Sequence, residues 1–261
     1  MTVALESANS EDLGGQFRFN PHPAHRDVIE AGALTAFGFQ AIMSPSGVNA
    51  RERAEFRAWA EESIPGVGSR LRSVDQVHGA SVVGAESLRD GHRVEADGVI
   101  THSPQDAAVV MAADCAPVWI ADPASGVIAL VHAGWRGVAA GVIEAGVRAL
   151  VAGSTKPQHL IVAVGPHLQA CCFEIGPELA VQFPAQTRPA STLLVERKRP
   201  DSVALDLASA IDERLSSQGV LNIHISHACT RCRSDILHSY RRNGKGGPLM
   251  GAIGVVASGS R

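Results

Sequence analysis

The chain is predicted to be an α/β protein of the α+β kind, a single domain of mixed β-sheet flanked by helices, and three observations predict it. Short runs rich in Val, Ile, Leu and Ala recur between turn residues, and some of them alternate with segments of helical periodicity. The connections between these segments are irregular, which favours a mixed sheet over a regular βαβ array. Pro and Gly punctuate the 261 residues evenly and no stretch looks like a linker, so one domain is expected where the length would admit two. Hydrophobic residues make up 45% of the chain and aromatics only 4%, so small and branched aliphatic side chains must fill the core.

Residues 1–15, ending ESANSEDLGG, carry turn and charge character and read as a mobile tail, with the folded domain spanning 16–261. Residues 49–62 read as a helix, with Asn49 as N-cap and Ala54, Phe56 and Trp59 or Ala60 near one face. Strands are expected at 80–84, 107–113, 117–121 and 126–132. A second helix follows the GWRG turn over VAAGVIEAGVRALVAG, residues 138–153, weakened by two internal glycines. Further strands are expected at 160–164, 222–227 and 250–256. Between 160–164 and 222–227 lies a helix over 206–218, capped by Asp206 and stopped by Gly219 in a left-handed conformation.

Several function classes are disfavoured at once. A net charge of −3 offers no basic surface for nucleic acid. No apolar run reaches the length of a membrane span, and the N-terminus lacks a basic start followed by an apolar segment. Five cysteines in a chain this long do not suggest a disulfide scaffold, so a soluble, reducing, cytoplasmic setting is expected.

The chemistry is expected where strands end. His78 in VDQVHGASVV, Cys115 in VVMAADCAPVWIAD and His132 in VIALVHAGWRG each sit where an apolar run breaks into small residues. Rigid strands can aim such side chains at one point. Two imidazoles and a thiolate make a three-ligand set of the kind that holds a catalytic zinc with one position open. The spacings, 37 residues (115 − 78) and 17 residues (132 − 115), match no local metal-binding motif, and the chain holds 11 His. Buried structural residues are therefore an equal reading on pattern alone.

Asp114 beside Cys115 is a candidate to orient an imidazole or pass a proton, with turn capping ahead of Pro117 as the alternative. Gly134 and Gly137 permit tight turns before a helix whose N-terminus suits an anion, and Arg136 could add a charge-assisted bond to phosphate. Arg241, within HSYRRNGKGG, either delivers a guanidinium to an anionic ligand or belongs to an ordinary solvated hairpin. Cys229 and Cys232 form one CxxC, and no second pair completes a four-ligand site. Cys171 and Cys172 are sequence neighbours with poor geometry for chelating one ion, so Cys229 and Cys232 are expected to serve packing or support.

DQVHG, ADCAPV, HAGWRG, GPHLQACCFEIG and the CTRC…HSYRRNG segment, in that order from about Ser73 to the C-terminus, resemble the YfiH-type polyphenol oxidase or laccase-domain family. The resemblance implies a single α/β domain, similar to that of certain cysteine hydrolases, with a metal on His78, Cys115 and His132. It implies either copper-dependent oxidation of phenols or zinc-bearing purine nucleoside chemistry. The latter comprises phosphorolysis of adenosine, inosine and methylthioadenosine, and deamination of adenosine. Laccase chemistry needs several coppers and many histidines, often as H-x-H, and this chain has no H-x-H. Zinc with purine nucleosides and phosphate as substrates is thus expected, with copper as the alternative ion. A metal-independent hydrolase using Cys115 and His132, a weakly active binding protein, and an editing enzyme of peptidoglycan precursors are the rival readings.

Two segments depart from the family pattern. The region before the first histidine reads AIMSPSGVNARERAEFRAW and lacks the usual SLN and GDD, and the SYRRDG-x-TGR ending has become SYRRNGKGGPLM, with Asn243 for the acid. The metal set is intact while its surroundings are altered.

Overall fold

The computed structural model describes residues 10–20, 27–88, 94–152, 155–196 and 198–256. Two sheets face each other, and helices cover their outer sides. The first sheet begins with β1 (Glu11–Asp12), β2 (Phe17–Asn20), β3 (Val28–Ala31) and β4 (Phe39–Met43), with the short helix α1 (Gly32–Thr35) between the last two. The chain then makes α2 (Arg53–Ser63), β5 (Leu71–Ser73), β6 (Val82–Gly84), β7 (Gly98–Thr101), β8 (Ala107–Ala112), β9 (Ala116–Asp122) and β10 (Val127–Ala133). Helices α3 (Trp135–Ala140) and α4 (Val142–Val151) lead to β11 (Ile161–Val164). After β12 (Glu174–Ile175), α5 (Pro177–Ala180), β13 (Thr187–Arg188) and β14 (Val203–Leu205) come α6 (Leu207–Ser217) and β15 (Asn222–Ile225), and α7 (Tyr240–Asn243) and β16 (Met250–Val256) end the chain.

The seven-stranded sheet runs β1-β2-β3-β4-β16-β8-β5 and the six-stranded sheet β15-β11-β9-β10-β7-β6, with a small β12-β14-β13 sheet beside them. Both large sheets are mixed: β5–β8, β11–β15 and β6–β7 are parallel and the remaining pairings antiparallel. The expected single mixed α+β domain is what forms.

Strand alternation explains the layering. In β9, Trp119 and Ala121 point into the core between the sheets, where Phe17, Leu34 and Met250 meet them, while Val118 and Ile120 point to the helices. All seven residues of β9 are buried, which is why this strand reads as one continuous apolar run. Trp119 ties the sheets together: its indole N–H donates to the Ile253 carbonyl at 2.9 Å, and its ring centroid lies 6.0 Å from that of Phe17. Truncating so large a buried side chain costs about 3–5 kcal/mol. Helices α4 and α6 cover the outer face of the second sheet, and Phe56, Trp59 and Ala60 of α2 cover the outer face of the first.

Three expectations need correction. The stretch expected to be a tail joins the fold from residue 10 on: Glu11 and Asp12 pair with β2, and Leu13 is buried (residues 1–9 lie outside the described residues). Asn49 does not cap α2, whose N-cap is Glu52; the Asn49 side-chain oxygen instead accepts from the Arg51 and Leu249 amides. The helix expected over 138–153 is divided at Gly141, whose φ of 93° is left-handed and so separates α3 from α4. Its last position, 153, lies outside the described residues. The helix at 206–218 forms as expected, with the Asp206 carboxylate accepting from the Ser209 amide at 3.0 Å and Gly219 at φ 84°.

Candidate metal centre

Sheet register brings the three ligand residues together. In the β9–β10 pair His132 lies opposite Pro117 and Ala133 opposite Ala116, so one step further Gly134 faces Cys115. A Cβ at Gly134 would sit 2.8 Å from Cys115 Sγ and 3.2 Å from His78 Cδ2. Only a residue without a side chain leaves room there. Gly137 is similar, since a Cβ would come within 2.9 Å of the Gly79 carbonyl. Neither glycine has a positive φ, so close approach, and not turn conformation, explains the spacing of HAGWRG.

The His78, Cys115 and His132 ligand atoms all lie within 4.8 Å of one another. The two imidazole rings meet edge to face with centroids 4.8 Å apart. His132 is buried, Cys115 half-buried and His78 exposed at the mouth, so the trio opens on one side.

Asp97 is the residue that sequence reasoning missed. It directly precedes β7, and the pairing of Val131 with Gly98 carries on to place Asp97 opposite His132, whose amide donates to the Asp97 carbonyl at 2.7 Å. The buried carboxylate accepts from His132 Nδ1 at 2.9 Å and from the amides of His78 at 2.9 Å and Gly79 at 2.6 Å. His78 adopts a left-handed φ of 60°, which turns these amides inward. One acid thus orients both histidines. With Nδ1 engaged, His132 has Nε2 for Cys115 and an ion, the usual arrangement of carboxylate, histidine and metal. The only sign of Asp97 in the sequence is an acid before a glycine and an apolar run, which marks ordinary turns equally well.

The electrostatics follow from this packing. Burial would raise the Cys115 thiol, but the charge and hydrogen bond of His132, aided by His78, outweigh it and bring the thiol down to about 7. Burial would lower His132, but Cys115 and Asp97 push it up to about 9. Burial likewise opposes ionisation of Asp97, and the bonds from His132 and Gly79 hold its carboxyl below the ordinary range. Two imidazoles and a readily ionised thiol, oriented by a buried acid, are a donor set that fits a divalent ion with an open position.

The trio lies in a cleft of about 900 Å3. Arg136 stands at its wall with its guanidinium 4.1 Å from the Trp135 ring centre, and Arg241 lines it too, 5.4 Å above Phe173. The altered segment before the first histidine contributes Arg51 and Arg53 to the same cleft. Gln76 lines it while pairing its side-chain amide with both backbone groups of Met111, which fixes the loop carrying His78 to the end of β8.

Asp114 belongs to the cleft as well, but its oxygens are engaged: Oδ1 accepts from the Thr230 hydroxyl and Oδ2 from the Arg241 amide, both at 2.6 Å. Both partners are distant in the chain, so the carboxylate ties the loops of Thr230 and Arg241 together where capping of its own turn ahead of Pro117 was the expected alternative. Of the paired arginines, Arg242 donates to the carbonyls of Thr230, Arg231 and Leu237 and is structural. Contrary to expectation, the structure brings Cys171 and Cys172 together with Cys229 and Cys232, all four sulfurs within 4.8 Å. Sequence adjacency did not reveal it because the partners come from loops 57 residues apart (229 − 172).

A family model for the multi-copper polyphenol oxidoreductase laccases matches residues 48–256. The chain belongs to this family. Among its relatives is a purine nucleoside phosphorylase of Streptomyces coelicolor, 34% identical over 198 residues, covering 76% of this chain and 80% of the relative. A purine nucleoside phosphorylase of Deinococcus radiodurans is 30% identical over 233 residues, 88% of each chain. The solved structure of YlmD from Geobacillus stearothermophilus shares the fold with a TM-score of 0.77 at 24% identity, over 92% of this chain and 99% of that one. Within the laccase family label, the described residues present one set of two histidines and a cysteine; the remaining cluster is all cysteine. No helix among the described residues is long and apolar enough to cross a membrane.

Proposed function

We propose that the protein is a purine nucleoside phosphorylase that uses one zinc ion on His78, Cys115 and His132 and also deaminates adenosine. The observation that carries this reading is the single oriented His–Cys–His set beside a cleft with arginines on its walls. Relatives bearing the phosphorylase name support it.

When bound, zinc supplies a Lewis acid with one open position. The chain's own residues do the rest. Asp97 fixes the His132 ring, and Cys115 is held near ionisation at neutral pH. In this reading Arg136, aided by Arg241, holds phosphate by charge-assisted bonds, which their presence on the cleft wall supports, and Gly134 leaves room for Cys115 and His78 to converge. With α3 only six residues long, its N-terminus adds little to phosphate binding, so the guanidinium groups carry that task. In phosphorolysis a phosphate oxygen bonds to C1′ of the ribose as the bond to the base nitrogen breaks, and the base leaves with a proton. In deamination a water oxygen bonds to C6 of adenine and ammonia departs. Asp114 accepts from the Thr230 hydroxyl and the Arg241 amide, so its part in this reading is to hold the loop that carries Arg241.

A second reading rests on the same geometry. Cys115, His132 and Asp97 stand in the order of nucleophile, base and orienting acid, as in a metal-independent cysteine hydrolase. Chelation separates the two. Adenine release from adenosine that stops on removal of the metal and returns with zinc supports the phosphorylase; turnover indifferent to chelation supports the hydrolase.

A further inference from the structure

We propose that Cys171, Cys172, Cys229 and Cys232 form a second, structural zinc site, a tetrathiolate joining the loop after β11 to the loop after β15. Cys171 Sγ lies 3.8 Å from both Cys172 Sγ and Cys232 Sγ, and Cys172 Sγ lies 3.5 Å from Cys232 Sγ. Zinc–sulfur bonds of about 2.3 Å in a tetrahedron set the sulfurs about 3.8 Å apart, so these three stand at ligand spacing and Cys229 Sγ lies within 4.8 Å of them. All four cysteines are free thiols, and no pair is disulfide-bonded.

The backbone also holds the two loops in register, through an isolated parallel bridge between His167 and Cys229. Cys172 and Cys229 are buried while Cys232 is exposed, which leaves a route for the ion to enter. A soft, all-sulfur, tetrahedral set of this kind selects zinc over calcium or magnesium.

The ion would act on the candidate active site at one remove. Thr230, inside the CxxC, donates to Asp114 beside Cys115, and its amide donates to the His167 carbonyl at 3.1 Å. Arg242 holds the Thr230 and Arg231 carbonyls on the other side. The knot therefore fixes the wall from which Asp114 is held.

Metal analysis and cobalt substitution test the site. Protein purified under reducing conditions is expected to hold two zinc ions per chain, falling to one in Cys115→Ala and to one in a Cys229→Ser, Cys232→Ser double variant. Cobalt loaded into Cys115→Ala is expected to show a tetrahedral ligand-field spectrum with the thiolate charge-transfer intensity of four sulfurs. That spectrum decides the matter even if the serine variant does not fold. Wild-type protein with one zinc that disappears in Cys115→Ala would overturn the proposal, as would cobalt-treated Cys115→Ala without those bands. A mass two hydrogens short of the free-thiol value, marking a disulfide within the cluster, would overturn it too.

Discussion

Asp97 and His132 are joined twice, by a side-chain hydrogen bond of 2.9 Å and by a backbone bond of 2.7 Å, both inside the protein. The ladder between β7 and β10 thereby fixes the acid, the ring and the free ring nitrogen together. Asp97→Asn is expected to weaken zinc binding about 10- to 100-fold, read by competition with a coloured chelator. Asp97→Ala should in addition lower stability by about 1–3 kcal/mol in urea unfolding, because the amides of His78 and Gly79 lose their acceptor. Equal metal affinity in Asp97→Asn and the wild type would contradict this role.

Gly134→Ala places a methyl group against Cys115 Sγ and His78. The variant should fold and lose most of its metal, whereas Gly47→Ala, where a Cβ meets nothing within 4 Å, should keep it. Zinc content of the two purified proteins makes the comparison.

The arginines divide by their partners. Arg136→Ala should raise the phosphate KM about tenfold or more with little change in melting temperature, since its side chain is exposed at the cleft wall. Arg242→Ala should lower the melting temperature, because three backbone carbonyls lose a guanidinium donor. The reverse pattern would reassign both.

Burial would raise the Asp206 carboxyl, but the Ser209 amide and Arg188 outweigh it and hold it below the ordinary carboxylate range. The ionised form is therefore the one that the fold favours. Its stabilisation is present above the unfolded-state value of about 4 and is lost as the pH falls through the lower folded value. Asp206→Ala should cost about 1 kcal/mol at neutral pH, and the gap to the wild type should close in acid. Urea unfolding at several pH values measures it; a gap independent of pH would mean that the cap works without its charge.

What the sequence made legible was local. Asp206 and Gly219 bracket a helix by short-range chemistry, and the apolar runs at 107–113, 117–121 and 126–132 announce strands buried on both faces. The four short strands β1 to β4 carried no such signal, being two to five residues long and stabilised by pairing with one another and with β16. Asp97 and the four-cysteine cluster depend on register and on loops distant in the chain, which spacing along the sequence does not encode. His78, Cys115 and His132 were visible as strand-end residues, but only the pairing of β9 with β10 and of β7 with β10 shows why they converge.

Ribose 1-phosphate formation from inosine, followed while the metal content of the same samples is measured, separates a zinc-dependent phosphorylase from the alternatives. Formation is expected to require phosphate, to rise in proportion to zinc restored to the His78–Cys115–His132 site, and to be absent from Cys115→Ala. Base release that proceeds without phosphate, or at full rate in Cys115→Ala, would contradict the phosphorylase reading.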